Sequence, residues 1–153
     1  MTLEATAGSL HIDCPTGLAG DMLLAALLDL GVPLEVIKAP LAQLGLKDLV
    51  RLDVEEARSG GLRGRRLRVV GLEPDRPNRH WAEIRMQLER SSLEPRLQQT
   101  VMAVFTALAE AEATVHGQTP ESVHFHEVGA IDALVDVVGV CAALEHLKPT
   151  SIS

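Results

Sequence analysis

Apolar positions along the chain repeat with two different periods, and the changes of period divide it into segments. Residues 9–14 (Ser-Leu-His-Ile-Asp-Cys) alternate and run into Pro15-Thr16-Gly17, which predicts a short strand ending in a turn. A helical pattern begins near Gly20-Asp21 and stops at Gly31, with Pro33 barring its continuation. Leu34 to Leu44 predict a second short helix, closed by Gly45. From Leu49 to Leu72 the period becomes two about a Ser-Gly-Gly turn, the mark of a half-exposed hairpin. Glu73 to Asn78 is polar, proline-bearing and patternless, and reads as a loop. Helical periodicity returns over Arg79 to Glu89 and again over Glu94 to Val115. The second stretch carries Pro95 in its first turn and Leu97, Val101, Val104, Phe105, Leu108 and Ala109 along its apolar face. Val123 to His126 predict a short strand, Gly129 a break, Ala130 to about His146 a helix, and Ser151-Ile152-Ser153 the start of a further strand.

The order β, α, α, β, β, α, α, β, α predicts an α/β (α+β) fold: a mixed β-sheet with a β-hairpin, packed against about five helices. A length of 153 residues suits one domain over 1–153, burying roughly 70% of its unfolded surface. Apolar residues make up 46% of the chain with only two Phe, one Trp and no Tyr, so the core must be built from Leu, Val, Ile and Ala. A net charge of -7 and the scarcity of aromatics argue against a nucleic-acid partner. The Arg-rich stretch from Arg51 to Arg68 is the local exception; it reads as the solvated face of the hairpin, although it could meet an anionic ligand. Cys14 and Cys141 lie far apart, neither in a C-x-x-C pair, and no secretory leader pattern opens the chain, which predicts a reduced, cytoplasmic protein. The longest clean apolar run, Met22 to Leu28, is far shorter than the roughly 20 residues of a membrane span. No membrane partner is expected.

Candidate chemistry concentrates in one stretch. Between His124 and Asp136, thirteen positions hold two imidazoles and three carboxylates (His124, His126, Glu127, Asp132, Asp136) in an otherwise apolar segment. Such groups are seldom buried unless they pair or hold a metal. On a strand, His124 and His126 share one face, with Phe125 and Glu127 on the other and Phe125 the natural core anchor. On the following helix, Asp132 and Asp136 are one turn apart and repel unless a cation lies between them. His-x-His facing Asp-x-x-x-Asp makes a mixed nitrogen and oxygen site suited to Zn, Ni, Fe or Mn. The plainer reading has Asp132 capping its helix, Asp136 solvated and the histidines bonded to backbone.

A second constellation runs from Asp13-Cys14 through Gly17 and Gly20 to Asp21. Glycines at a strand-to-helix passage let a ligand approach the backbone, but no Walker or dinucleotide pattern is present. Asp21 at the helix start disfavours phosphate there. If Asp13 and Asp21 converge, they make a hard-oxygen cation site, with Cys14 as a soft neighbour or simply a buried thiol. His80, after the polar loop, could swing over a site; His116 suits a helix C-terminus. No nucleophile-base arrangement declares itself.

Three blocks carry a family resemblance. They are Ile12-Asp13-Cys14 with Gly17, Gly20-Asp21-Met22 and Leu28 to Pro33; Arg79-His80 before a helix; and Val123 to Ala130 with Asp132 and Asp136 to Gly139. Together they resemble the nickel insertion proteins of the nickel-pincer nucleotide cofactor, the LarC family. The resemblance implies a metallochelatase that places Ni(II) into a pyridinium bisthiocarboxylate mononucleotide at the expense of CTP, for lactate racemase and related enzymes. It implies metal ligands among His124, His126, Asp132 and Asp136, with His80, Asp13 and Asp21 behind them, and cofactor contacts at Cys14, Gly17 and Gly20. In that family CTP with Mg or Mn belongs to a C-terminal half, so the chain is expected to be the N-terminal half and inactive alone. Its expected partners are that C-terminal nickel-insertion domain, on the same or a separate chain, the mononucleotide, and a second copy of itself as a homo-oligomer. Two departures from the family pattern stand out: Asn78 where a further histidine is common, which weakens the loop as a nickel site, and Pro15-Thr16, which alters the glycine loop. Two other readings compete: a scaffold domain whose polar cluster is structural and which docks the catalytic half, and an Mg- or Mn-dependent hydrolase at Asp13 and Asp21.

Overall fold

A computed structural model describes residues 8–73, 79–125 and 130–153. Five α-helices and four strands appear in it: β1 (Ser9–Leu10), α1 (Gly20–Leu30), α2 (Leu34–Gln43), β2 (Val50–Ser59), β3 (Leu62–Gly71), α3 (Trp81–Arg90), α4 (Pro95–His116), α5 (Ile131–Leu147) and β4 (Ser151–Ile152). The α/β class expected from the pattern is therefore present. Its parallel and antiparallel pairings are divided between two small sheets, β1 with β4 and β2 with β3.

Local chemistry explains most boundaries. Gly31 ends α1 in the left-handed region at φ 117°, its amide turning back to the last carbonyls, and Val32 follows it into the core. Gly60 and Gly61, both at positive φ, make the two-residue hairpin turn that matches the twist of β2 and β3. The Glu94 carboxylate accepts from the amides of Arg96 and Leu97 (3.0 and 3.2 Å), and Pro95 takes the first position of α4, where its missing N–H costs nothing.

Helix α5 is the central element. Leu134, Val135, Val138, Gly139, Ala142 and Ala143 on it are buried, and it packs against α1, α2, α4 and β3. A Cβ at Gly139 would lie 3.0–3.2 Å from Leu24 and Ile37, so glycine there sets how closely α1 and α2 approach. On α4 the buried row is Leu97, Val101, Phe105, Ala109 and Ala113, spaced by four. Trp81, Phe105 and Phe125 meet in one cluster, Phe125 lying 6.4 Å from each of the other two rings. Phe125 is thus the core anchor its position in the sequence suggested, 1% exposed.

Three expectations need correction. The first strand is two residues long rather than six: Ser9 and Leu10 pair with Ser151 and Ile152, flanked by bonds from the Thr150 amide to the Gly8 carbonyl (3.0 Å), the Ser153 amide to the Leu10 carbonyl (3.0 Å) and the Ile12 amide to the Ser153 carbonyl (2.8 Å). The stretch from Val123 forms no strand over its described residues: a 3-10 turn at Pro120–Ser122 precedes it, and His124 makes a single antiparallel bridge to His80. His80 is the N-cap of α3, where the backbone turns into a helix and has no further strand to offer. Val104, expected on the inner face of α4, is 36% exposed, because the packed row runs through every fourth residue.

Candidate functional site

Two helix beginnings meet at the densest group of carboxylates. Gly20, the first residue of α1, lies against Asp136 on α5: a Cβ there would sit 2.4–2.5 Å from the Asp136 Cβ, Cγ and Oδ2 atoms. Glycine at this position is therefore required by packing within the chain. Asp21 follows it, exposed, with one carboxylate oxygen accepting from the Met22 amide at 2.8 Å. Asp132 lies one turn before Asp136 and accepts from the Ala133 amide at 3.0 Å.

Asp136 is only partly exposed, and its carboxyl pKa is pushed up to about 6. Burial is the main cause, with the negative charges of Asp21 and Asp132 adding to it; the backbone amide of Asp21 pulls in the opposite direction. Its Oδ1 is buried without a hydrogen-bond partner. A carboxylate strained in this way favours a proton or a metal cation as its third party.

These carboxylates line a cavity of about 900 Å³ between α1, α5 and β3. Its strand side carries Arg65, Arg66 and Arg68. Arg66 reaches Glu55 (3.3 Å) and Arg65 approaches Asp29 (3.8 Å), while Arg68 has no ion-pair partner among the described residues. The ribbon is solvated, as its sequence suggested, but the cavity also borders its arginines, of which Arg65 turns its guanidinium toward Asp29 on α1. A cavity bordered by acids on one side and by arginine residues on the other can hold a cation and an anionic molecule together.

The imidazoles form a separate group. His80 and His124 are bridged through their backbones, and their rings stack edge to face with centroids 3.9 Å apart. His80 also caps α3 in a reciprocal box with Glu83, whose carboxylate accepts from the His80 amide at 2.9 Å. His124 lines a small cavity of about 130 Å³ with Glu112 and His116, which pair at 3.2 Å. His124 and the pair Asp132 and Asp136 thus border different cavities.

Asp13 and Cys14 are exposed on the turn that leads to Gly17, itself at φ 102°. No hydrogen bond or ion pair joins Asp13 to Asp21 among the described residues; the carboxylate that Asp21 influences is Asp136. His126, Glu127 and Gly129 lie outside the described residues, as do Asn78 and the rest of the loop from Pro74. Among the described residues no group of three or more His, Cys, Asp or Glu is gathered closely enough to hold a metal ion as it stands.

The Arg51 to Arg68 stretch carried a mark in the sequence, as a face able to meet an anionic ligand, although nothing local shows that β3 borders a cavity; Glu73 was passed over. Glu73 is only 10% exposed and ion-paired to Arg79, 13% exposed, across the loop between them. The acid and base flanking a proline-bearing loop were the available signal.

The sequence profile described as nickel insertion protein matches residues 10–153. A relative from Gloeobacter violaceus is 50% identical over 139 residues, covering 90% of this chain and 33% of its own length. One from Thermomicrobium roseum is 50% identical over 143 residues (94% of this chain, 35% of its own), and one from Geobacter metallireducens 48% identical over 139 (90% and 35%). All three bear names that describe them as nickel insertion proteins. The chain spans about a third of the length of these curated relatives. No solved structure matches it significantly. The match to the family profile over nearly its whole length shows that the chain belongs to the nickel insertion protein family.

Proposed function

We propose that this chain is the metal- and cofactor-handling part of a chelatase that inserts nickel into the pyridinium bisthiocarboxylate mononucleotide used by lactate racemase-type enzymes. The observation that carries the reading is the meeting of Asp21, from one end of the chain, with Asp132 and Asp136, from the other, opposite an arginine-bearing wall. Nickel(II) accepts oxygen and imidazole donors. The carboxylates would take the cation, and Arg65, Arg66 and Arg68 would hold the phosphate and other anionic groups of the mononucleotide. His80 and His124, with His126 beside them in sequence, offer a second, imidazole station on the way. Cys14 and the Gly17 turn are exposed, and could meet the sulfur atoms of the cofactor. CTP with its Mg or Mn would be used by the portion of the relatives that this chain does not align with, in the cytoplasm. Among the described residues no helix is long and apolar enough to cross a membrane.

Carboxylate ligands bind nickel moderately, which suits a protein that must also release it. The test is to titrate the chain with the mononucleotide and compare it with an Arg65→Ala, Arg68→Ala variant. Loss of these two guanidinium groups should weaken binding at least tenfold and make what remains less sensitive to salt. Equal affinity in the two proteins would remove the cavity from the account.

A docking role is supported by a different observation. An apolar groove of about 360 Å³, lined by Val104, Leu108, Val137 and Val140, runs between α4 and α5. The C-terminal nickel-insertion domain is its proposed occupant. Val104→Asp with Val140→Asp should abolish association with that domain while leaving the chain folded; association at full strength would exclude this surface.

A further inference from the structure

Glu73 has an unusual position for a carboxylate. It follows β3, its side chain is 10% exposed, and one oxygen is held by the Arg79 guanidinium. Its other oxygen, Oε2, is buried and has no hydrogen-bond partner. The side chain lines a cavity of about 150 Å³ bounded by Gly71 at the end of β3 and by Ala130, Ile131 and Asp132 at the start of α5. Asp132 belongs both to this cavity and to the larger one between α1, α5 and β3. Asp132, itself an exposed residue, therefore borders the same space as the buried Glu73.

The charges here do not cancel. Arg79 offsets Glu73, but Asp132 has no ion-pair partner among the described residues and lies within electrostatic reach of Asp136. A water molecule could satisfy one lone pair of Oε2, yet it would leave the negative charge of Asp132 where it is. A divalent cation answers both needs, and an ion that keeps several of its waters needs only one or two protein carboxylates. Arg79 then acts as the outer partner that fixes the orientation of Glu73, as ligating carboxylates commonly require.

We propose that Glu73 and Asp132 hold a hydrated divalent cation, Ni(II) in the first instance, in the small cavity between the end of β3 and the start of α5. This rests on the reading of the chain as a nickel-handling domain. It adds Glu73 as a ligand, and it makes Asp132 the carboxylate shared between an inner station and the larger cavity. Nickel would pass between the two by exchange of carboxylate and water ligands, with no change of oxidation state.

Hexacoordinate Ni(II) with oxygen ligands is paramagnetic, so its position can be read from the amide resonances of the intact chain. Substoichiometric Ni(II) added to the labelled protein should broaden Gly71, Glu73, Ala130 and Asp132 together with Asp21 and Asp136. Glu73→Gln keeps the shape and the contact to Arg79; it should weaken nickel affinity five- to tenfold and abolish the broadening at Gly71. Broadening confined to Asp21 and Asp136, or to His80 and His124, with Gly71 and Glu73 unaffected, would overturn the inference and leave the nickel reading intact. No broadening at any amide would overturn both. The wild-type map decides even if the variant folds poorly.

Discussion

At the residue scale, Asp136 shows most directly what the site costs the fold. Its carboxyl titrates near 6 in the folded chain instead of at its ordinary value of 3.8. Between those pH values the native state keeps a proton that the unfolded state has lost, so stability falls as pH rises from about 4 to about 6 and levels off above. The contribution of this group is greatest at low pH, the reverse of an ion-paired aspartate. Asp136→Asn should therefore be the more stable protein at pH 7, by about 1–2 kcal/mol after allowing for partial solvation, with most of that gain absent at pH 4. Urea unfolding of both proteins at the two pH values measures it; a difference that does not change with pH would show that the carboxylate is not strained. The two thiols should differ as sharply. Cys14 is exposed, whereas Cys141 is buried and its pKa is raised to about 11, mainly by burial and then by Glu145. At neutral pH the thiolate of Cys141 is roughly 100-fold scarcer than that of an ordinary cysteine. Iodoacetamide should modify one site, Cys14, and mass mapping that finds Cys141 alkylated at a similar rate would contradict this burial.

At the element scale, the approach of α1 to α5 positions the carboxylates, and Gly20 permits it. Gly20→Ala forces a methyl group into the Asp136 side chain and should destabilise the fold by about 1–3 kcal/mol, while moving Asp136 from Asp21. Thermal unfolding together with nickel affinity checks both effects; a variant with wild-type stability would mean that the helices have slack. The helices and the hairpin were legible in the sequence because each carries its own punctuation: Gly31 after α1, Gly45 after α2, Gly60-Gly61 between β2 and β3, Pro95 and Gly117 around α4. The pairing of β1 with β4 could not be read from the alternation of residues 9–14, because the two strands lie far apart in sequence. The pairing of Asp132 with Asp136 could be read from helical spacing. That of Asp21 with Asp136 could not, because it arises from packing between helices far apart in sequence. Glu73 was hidden by the same limit: a loop composition describes the backbone and does not reveal that one side chain of the loop is buried.

At the scale of the whole molecule, the chain places a carboxylate group and an imidazole group on different cavities of one helix-rich framework, α5 carrying Asp132 and Asp136 and α4 bordering the cavity beside His124. The family assignment makes nickel their common subject, and the chain spans about a third of the length of its curated relatives. Separate stations suit transfer better than storage, since an ion held by every donor at once would be slow to leave. The central claim is that the carboxylates joined by α1 and α5 bind nickel. Calorimetric titration of the chain with Ni(II) at pH 7.5 tests it, with Asp136→Asn beside a control, Asp53→Asn, whose carboxylate is paired to Arg51 on the hairpin. The account predicts that the wild type and the control bind alike and that Asp136→Asn binds at least tenfold more weakly. Equal nickel affinity in all three proteins would contradict it.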